Sequence, residues 1–158
     1  FTSLNRKLFE DLSNLGILSL SNNQLATIDD RLFIKLKKLE NLRIDGNKLA
    51  TLDDRTFLEL DAIQNINLSN NLLVSLEDSL FENSKNLVSI SLNNNKLTTL
   101  PTDIFNGLDN LRNHYLQNNL ITSLNYIIFN RLCLHKLDLS NNPIIVNQFM
   151  LNECIIVV

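Results

Sequence analysis

The sequence predicts a curved α/β solenoid: a right-handed superhelix with a parallel β-sheet on its concave side and loops or 3₁₀ turns on its convex side. Three observations predict it. Phe9, Phe33, Phe57, Phe81, Phe105 and Phe129 follow one another at intervals of 24 residues, and a fixed period of that length marks stacked repeats. Within each interval the apolar residues first alternate, as in LGILSL at 15–20, and then spread out, so a strand is followed by a return segment of different geometry. Asparagine is abundant while the chain has only 3 Gly and 2 Pro. Its turns must therefore be built on Asn and Asp, which tolerate left-handed backbone and bond their own main chain.

Composition sets the outer bounds. At 158 residues, 44% hydrophobic and 20% charged, the chain is long enough for one domain with a real core and too apolar for disorder. A net charge of −3 gives no reason to expect nucleic acid or an anionic membrane as partner. No apolar run approaches the roughly 20 residues of a spanning helix. The tail Ile155–Val158 is far too short, so this segment is not expected to insert into a membrane.

One domain, 1–158, is expected. A partial repeat covers 1–14, repeats start at Leu15, Leu39, Ile63, Leu87, Leu111 and Leu134, and the pattern is lost in an irregular segment at 145–158. Each unit reads L-x-x-L-x-L-x-x-N-x-L-x-x-L and then F-x-x-L, as LENLRIDGNKLATLDDRTFLELDA shows at 39–62. The L-x-L segment is the strand. The acidic pairs Asp29-Asp30, Asp53-Asp54 and Glu77-Asp78 open the return segment, where a carboxylate caps the orphan N–H groups of a short turn. One unit cannot bury its own apolar edge, but stacked units can, with strands about 4.8 Å apart. The leucines then face inward and the phenylalanines form a second seam towards the convex side.

Asn23, Asn47, Asn71, Asn95, Asn119 and Asn142 recur at the turn after each strand and are expected to form a structural ladder. A buried amide donates and accepts at once, so it satisfies turn backbone groups of its own unit and of the next. At the start, Phe1, Leu4, Phe9 and Leu12 match Leu25, Ile28, Phe33 and Leu36, and the chain reads as a piece of a longer array. Towards the end, the fifth unit is one residue short, with FNRLCL against FNGLDNL.

The pattern resembles the leucine-rich repeat family over nearly the whole chain. The 24-residue unit with F-x-x-L is similar to the typical subfamily, found in animal extracellular proteins such as Toll-like receptor ectodomains, matrix proteoglycans, Slit-type guidance proteins and secreted arthropod immune proteins. That resemblance implies a curved solenoid whose concave sheet binds other macromolecules. The L-x-G-x-I-P of plant receptors is absent, and so is the longer alternating unit of the ribonuclease-inhibitor type. Extracellular members often close with C-x-C soon after N-P. Here Asn142-Pro143 is followed by IIVNQF and only Cys154, so the cap is degenerate or the array is cut.

Cys133 and Cys154 are 21 residues apart, close to one turn of the solenoid. Equivalent positions on adjacent turns lie about 5 Å apart, within reach of a disulfide, so the two are either a C-terminal staple or two unpaired small apolar residues. With two histidines they make no convincing zinc set, because Cys133-x-His135 has poor spacing. The sequon Asn67-Leu68-Ser69 reads as a chance product of a chain rich in Asn and Ser. A phosphate loop, a nucleophile elbow and H-E-x-x-H are all missing, so no enzyme is expected, and no cofactor or metal.

The concave surface is supplied by three outward rows. The middle one runs Ser19, Arg43, Asn67, Ser91, Tyr115, Asp138; the row two residues on runs Ser21, Asp45, Ser69, Asn93, Gln117, Ser140; the row two before runs Ile17, Asn41, Asn65, Ser89, Asn113, Lys136. Its centre is small, neutral and polar. Larger groups stand near the ends, and Arg43, Asp45, Asn67, Ser91, Arg112, Tyr115, Lys136 and Asp138 are the candidate partner-binding residues. Arg43 and Tyr115 are the anchors, since interface hot spots favour Arg and Tyr. His114 falls in the core leucine slot and is expected to be buried, neutral and bonded to a backbone group, with a pH switch as the sharper alternative. Ser84, in the slot of Leu60 and Leu108, is a second weak point.

The expected function is non-catalytic recognition of a protein ligand or co-receptor, in an extracellular receptor or innate-immunity setting. The alternative is a structural spacer or self-association scaffold, with a homodimer as its simplest form; a cytosolic scaffold is a further alternative.

Overall fold

The computed structural model describes residues 1–129, 132, 135–144 and 156–157. Seven strands form one parallel sheet in sequence order: β1 Ile17–Ser19, β2 Asn41–Arg43, β3 Asn65–Asn67, β4 Ser89–Ser91, β5 Asn113–Tyr115, β6 Lys136–Asp138 and β7 Ile156–Val157. The register carries each strand onto its counterpart one repeat later. Leu18, Leu42, Ile66, Ile90, His114 and Leu137 make a single inward row. The tail expected to be irregular supplies β7, paired through Leu137 with Ile156 and Asp138 with Val157. The free edge of β6 offers unpaired backbone groups, and a β-branched pair is well suited to take them.

Each of β1–β6 is three residues long because the chain must turn at once. In every turn the residue before the ladder asparagine has left-handed backbone: Asn22, Asn70 and Asn94 at φ 56°, Asn118 at 56°, Asn141 at 57°, and Gly46 at 69°. Asparagine pays little for that geometry and glycine none. These residues make up a conformational row distinct from the ladder beside it. Ladder hydrogen bonds continue past the strands, from Leu20 N to Arg43 O (2.7 Å) and from Asn22 N to Asp45 O (2.8 Å).

The return segments are turns plus one 3₁₀ helix, Tyr126–Phe129; no α-helix occurs among the described residues. Their capping follows the acidic pairs. Asp29 Oδ1 accepts from Arg31 N at 2.9 Å and Asp53 Oδ1 from Arg55 N at 3.0 Å, the short Asx geometry that closes a single turn. The second acid reaches along the stack instead: Arg55 Nη2 meets Asp30 at 2.7 Å, and Asp78 accepts from Asp103 N at 3.3 Å.

The core lies between sheet and turns. Leu25, Leu36, Leu39, Leu42, Ile44 and Leu49 are fully buried, each stabilising the fold by about 1.5–3 kcal/mol relative to exposure. The phenylalanines stack along the convex side, Phe9 to Phe33 at 6.4 Å, Phe33 to Phe57 at 6.5 Å and Phe57 to Phe81 at 5.8 Å. Strands repeat at about 4.8 Å. The turns therefore diverge towards the phenylalanines, which puts the sheet inside the bend and makes its outward face concave. The phenylalanines form the expected seam, in two runs. It resumes as Phe105 to Phe129 at 6.2 Å, and no stacked pair joins Phe81 to Phe105. Phe105 instead stands edge-on to His114.

Candidate recognition face

The face is held in place by the asparagine ladder. Asn71 Nδ2 donates to Leu68 O and Ile44 O, each at 3.1 Å, and its Oδ1 accepts from Leu49 N at 3.1 Å. Asn47, Asn95, Asn119 and Asn142 repeat the arrangement, and Asn23 bonds the carbonyls of Leu20 and Ser21. The second set of groups belongs to the preceding turn, not the following one. The side chain points back towards the strand it has just left, so the turn behind is the one in reach. A second ladder runs along the left-handed row, from Asn94 Nδ2 to Asn70 Oδ1 (3.0 Å) and from Asn141 Nδ2 to Asn118 Oδ1 (2.8 Å). The Asn-Asn doublets at 22–23, 70–71, 94–95, 118–119 and 141–142 are the sequence signal for it.

On the face itself, the charged residues at each end are engaged locally. Arg43 Nε lies 3.4 Å from Asp45 Oδ1, which also accepts from Ser21 Oγ at 2.7 Å. Asp45 was expected to be displayed; it is 9% exposed, drawn down between its two donors. At the other end Lys136 Nζ sits 4.8 Å from the centre of the Tyr115 ring, a cation–π contact. Asp138 accepts from Ser140 N and Ser140 Oγ. Arg112, expected with Tyr115, lies before β5 and its guanidinium donates to the carbonyls of Asp109 and Leu111. It belongs to the loop and not to the face.

Between these ends the face is uncharged. Asn65 Nδ2 bonds Asn41 Oδ1 at 2.7 Å, and Asn67 Oδ1 accepts from Ser69 N at 3.0 Å. Asn41, Arg43, Asn65, Asn67, Ser89 and Ser91 line a shallow depression of about 200 Å³. In the inward row, on β5, His114 is 1% exposed and neither ring nitrogen has a hydrogen-bond partner among the described residues. The expected backbone bond is missing because the ring lies among Phe105 and Phe129, which offer no acceptor. Burial pushes its pKa down to about 3. Ser84 Oγ is likewise buried and unpartnered, as is Thr56 Oγ1. Cys133 and Cys154 lie outside the described residues.

The BspA-type leucine-rich repeat model matches the sequence in six copies, over residues 1–111 and 26–157. The chain belongs to the leucine-rich repeat family. No curated protein sequence matches this repeat protein. Among solved structures it is similar to a leucine-rich repeat protein of Leptospira interrogans, at 32% identity and TM-score 0.87, over 100% of this chain and 40% of that one. It is also similar to a chain of the Toll–Spatzle complex of Drosophila, at 30% identity and TM-score 0.75, covering 90% of this chain and 22% of the other. The TLR13–ssRNA13 complex gives 29% identity and TM-score 0.86, with 93% and 21% covered. The repeat chain thus spans well under half of these longer arrays. The leucine-rich repeat fold commonly mediates protein–protein recognition. Among the described residues, no group of three or more His, Cys, Asp or Glu is placed to hold a metal ion, and no helix is long and apolar enough to cross a membrane.

Proposed function

We propose that this leucine-rich repeat chain is a non-catalytic recognition module of the typical, extracellular receptor or innate-immunity kind, engaging a protein ligand or co-receptor through its concave face. The observation that carries this reading is Tyr115. It is the one aromatic side chain on the concave rows of β1–β6, partly open to solvent and braced by the Lys136 ammonium. A rigid amphipathic ring fixed at the end of a small-residue surface is the kind of anchor around which interfaces concentrate their energy. Arg43 supplies a second anchor three strands away, oriented by Asp45. Similarity to chains solved in complexes, Toll with Spatzle among them, supports the reading.

The test is a combined Arg43→Ala, Tyr115→Ala, Asp138→Ala variant against wild type, with cross-linked partners recovered from the cell surface and secreted fraction. Capture is expected to fall at least about tenfold, the scale of one or more hot-spot residues, with the circular dichroism spectrum and melting temperature retained. Undiminished capture by a folded variant would overturn it.

A further inference from the structure

We infer that the partner surface read by the centre of the concave face is an uncharged glycan. The inference rests on the concave-face reading above and adds the chemistry of what is bound. The charge, polarity, spacing and shape of the face lead to it.

The charges of the three outward rows are two cations, Arg43 and Lys136, and two carboxylates, Asp45 and Asp138. They cancel, and each is already engaged by a neighbour on the same face. An ionic partner finds no field to steer it. The centre also lacks a large apolar side chain. Asn65 and Asn67 on β3, Ser89 and Ser91 on β4 and Asn113 on β5 are all partly exposed, and burying them gives little of the apolar gain that drives protein interfaces.

What this surface does offer is free hydrogen-bonding capacity. The hydroxyls of Ser89 and Ser91 and the amide of Asn113 make no side-chain hydrogen bond within the described residues, while the Asn65–Asn41 and Asn67–Ser69 bonds each leave groups over. Amides and hydroxyls donate and accept side by side, as sugar hydroxyls require. Parallel strands repeat the set at about 4.8 Å, close to the length of one pyranose ring, so a linear glycan lying across the strands meets equivalent groups turn after turn. Tyr115 closes one end of this run with an aromatic face, and a sugar's C–H face packs on such a ring. The depression of about 200 Å³ lined by Asn41, Arg43, Asn65, Asn67, Ser89 and Ser91 has room for a single ring.

The experiment uses the full chain and immobilised uncharged polysaccharides, namely a β-glucan, an α-mannan and a galactan, with heparin as the charged control. Binding to at least one uncharged polymer is expected, weakened about tenfold by Tyr115→Ala and by Asn65→Ala with Ser91→Ala, the loss of one aromatic or two hydrogen-bonding contacts. It should change less than about twofold between about 50 and about 500 mM salt, because no exposed charge pair is made. The convex variant Glu82→Ala should bind like wild type. Binding to heparin alone, to none of the polymers, or undiminished in the Tyr115 and Asn65/Ser91 variants overturns the inference. If a protein partner is captured equally before and after enzymatic removal of its glycans, and that capture is lost in the Arg43/Tyr115/Asp138 variant, the glycan inference fails while concave recognition stands.

Discussion

The imidazole of His114 stands edge-on to Phe105, with ring centres 4.6 Å apart and planes at 70°. Phe129 also meets it at 5.9 Å, again edge-on. The ring fills a slot that holds Leu18, Leu42, Ile66, Ile90 and Leu137 in the other strands, and brings two polar nitrogens into it with nothing to bond. It also coincides with the break in the phenylalanine seam.

Replacing His114 by leucine is expected to stabilise the protein. The substitution removes the desolvation cost of unpartnered groups, about 1–3 kcal/mol, and restores the aliphatic row. Urea denaturation at pH 7.5 should show a midpoint above wild type. A destabilised variant would mean that the two edge-on contacts outweigh the missing hydrogen bonds.

The same residue sets a pH dependence. Its folded pKa of about 3 lies below the ordinary 6.5, so the unfolded chain binds the extra proton first. Stability is complete above pH 6.5 and falls as the pH drops from there towards 3, by roughly 1.4 kcal/mol per unit. Asp53, which the Arg55 backbone N–H holds below the usual carboxylate range, loses its contribution in the acid range in wild type and variant alike. The difference between wild type and His114→Leu should therefore widen by about 2 kcal/mol between pH 6.5 and pH 5. Parallel stability profiles would rule out an ionisable burden at His114.

The asparagine ladder carries a larger stake. Asn71→Ala orphans Leu49 N and leaves Ile44 O and Leu68 O with Asn47 Nδ2 and Asn95 Nδ2 as their remaining amide donors, at an expected cost of about 2–4 kcal/mol. Asn71→Asp keeps the acceptor but, once ionised, cannot donate to either carbonyl, and should lose at least about 2 kcal/mol. Equilibrium unfolding of both variants checks this. A loss below about 0.5 kcal/mol in the aspartate variant, the scale of an ordinary surface substitution, would show that donation to the carbonyls contributes nothing.

Gly46 separates backbone strain from crowding. It occupies the left-handed row at φ 69°, and an added Cβ would stand 2.5 Å from Asn22 Oδ1. Gly46→Ala is expected to cost about 1–2 kcal/mol. Gly46→Asn should cost less, because asparagine accepts this geometry in five other turns and the Asn22 side chain can move. Thermal melts of the pair give the order, and an alanine variant as stable as the asparagine one would contradict it.

Most of the fold was legible because it is periodic. Phenylalanines at a fixed interval, the L-x-L strands and the recurring asparagine all repeat, and a pattern that repeats defines both the unit and its stacking. The left-handed row was also written in the Asn-Asp bias and the doublets, but telling which asparagine bends the chain and which bonds it needs the backbone angles. The candidate face was legible only as a set of outward positions. Its three rows followed from strand alternation, yet Arg112 fell outside it and Asp45 sank into it, since both depend on which neighbours a flexible or short side chain can reach.

The sequence by itself determined that the chain coils, that its sheet is parallel, and which residues point in or out, because those properties depend only on period and alternation. Three things waited for the tertiary structure: that His114 has no partner, that the phenylalanine seam breaks beside it, and that the charges of the concave face are settled among themselves. Each depends on side chains of different turns meeting at hydrogen-bond or ring-contact distance, and a repeat pattern does not contain those distances.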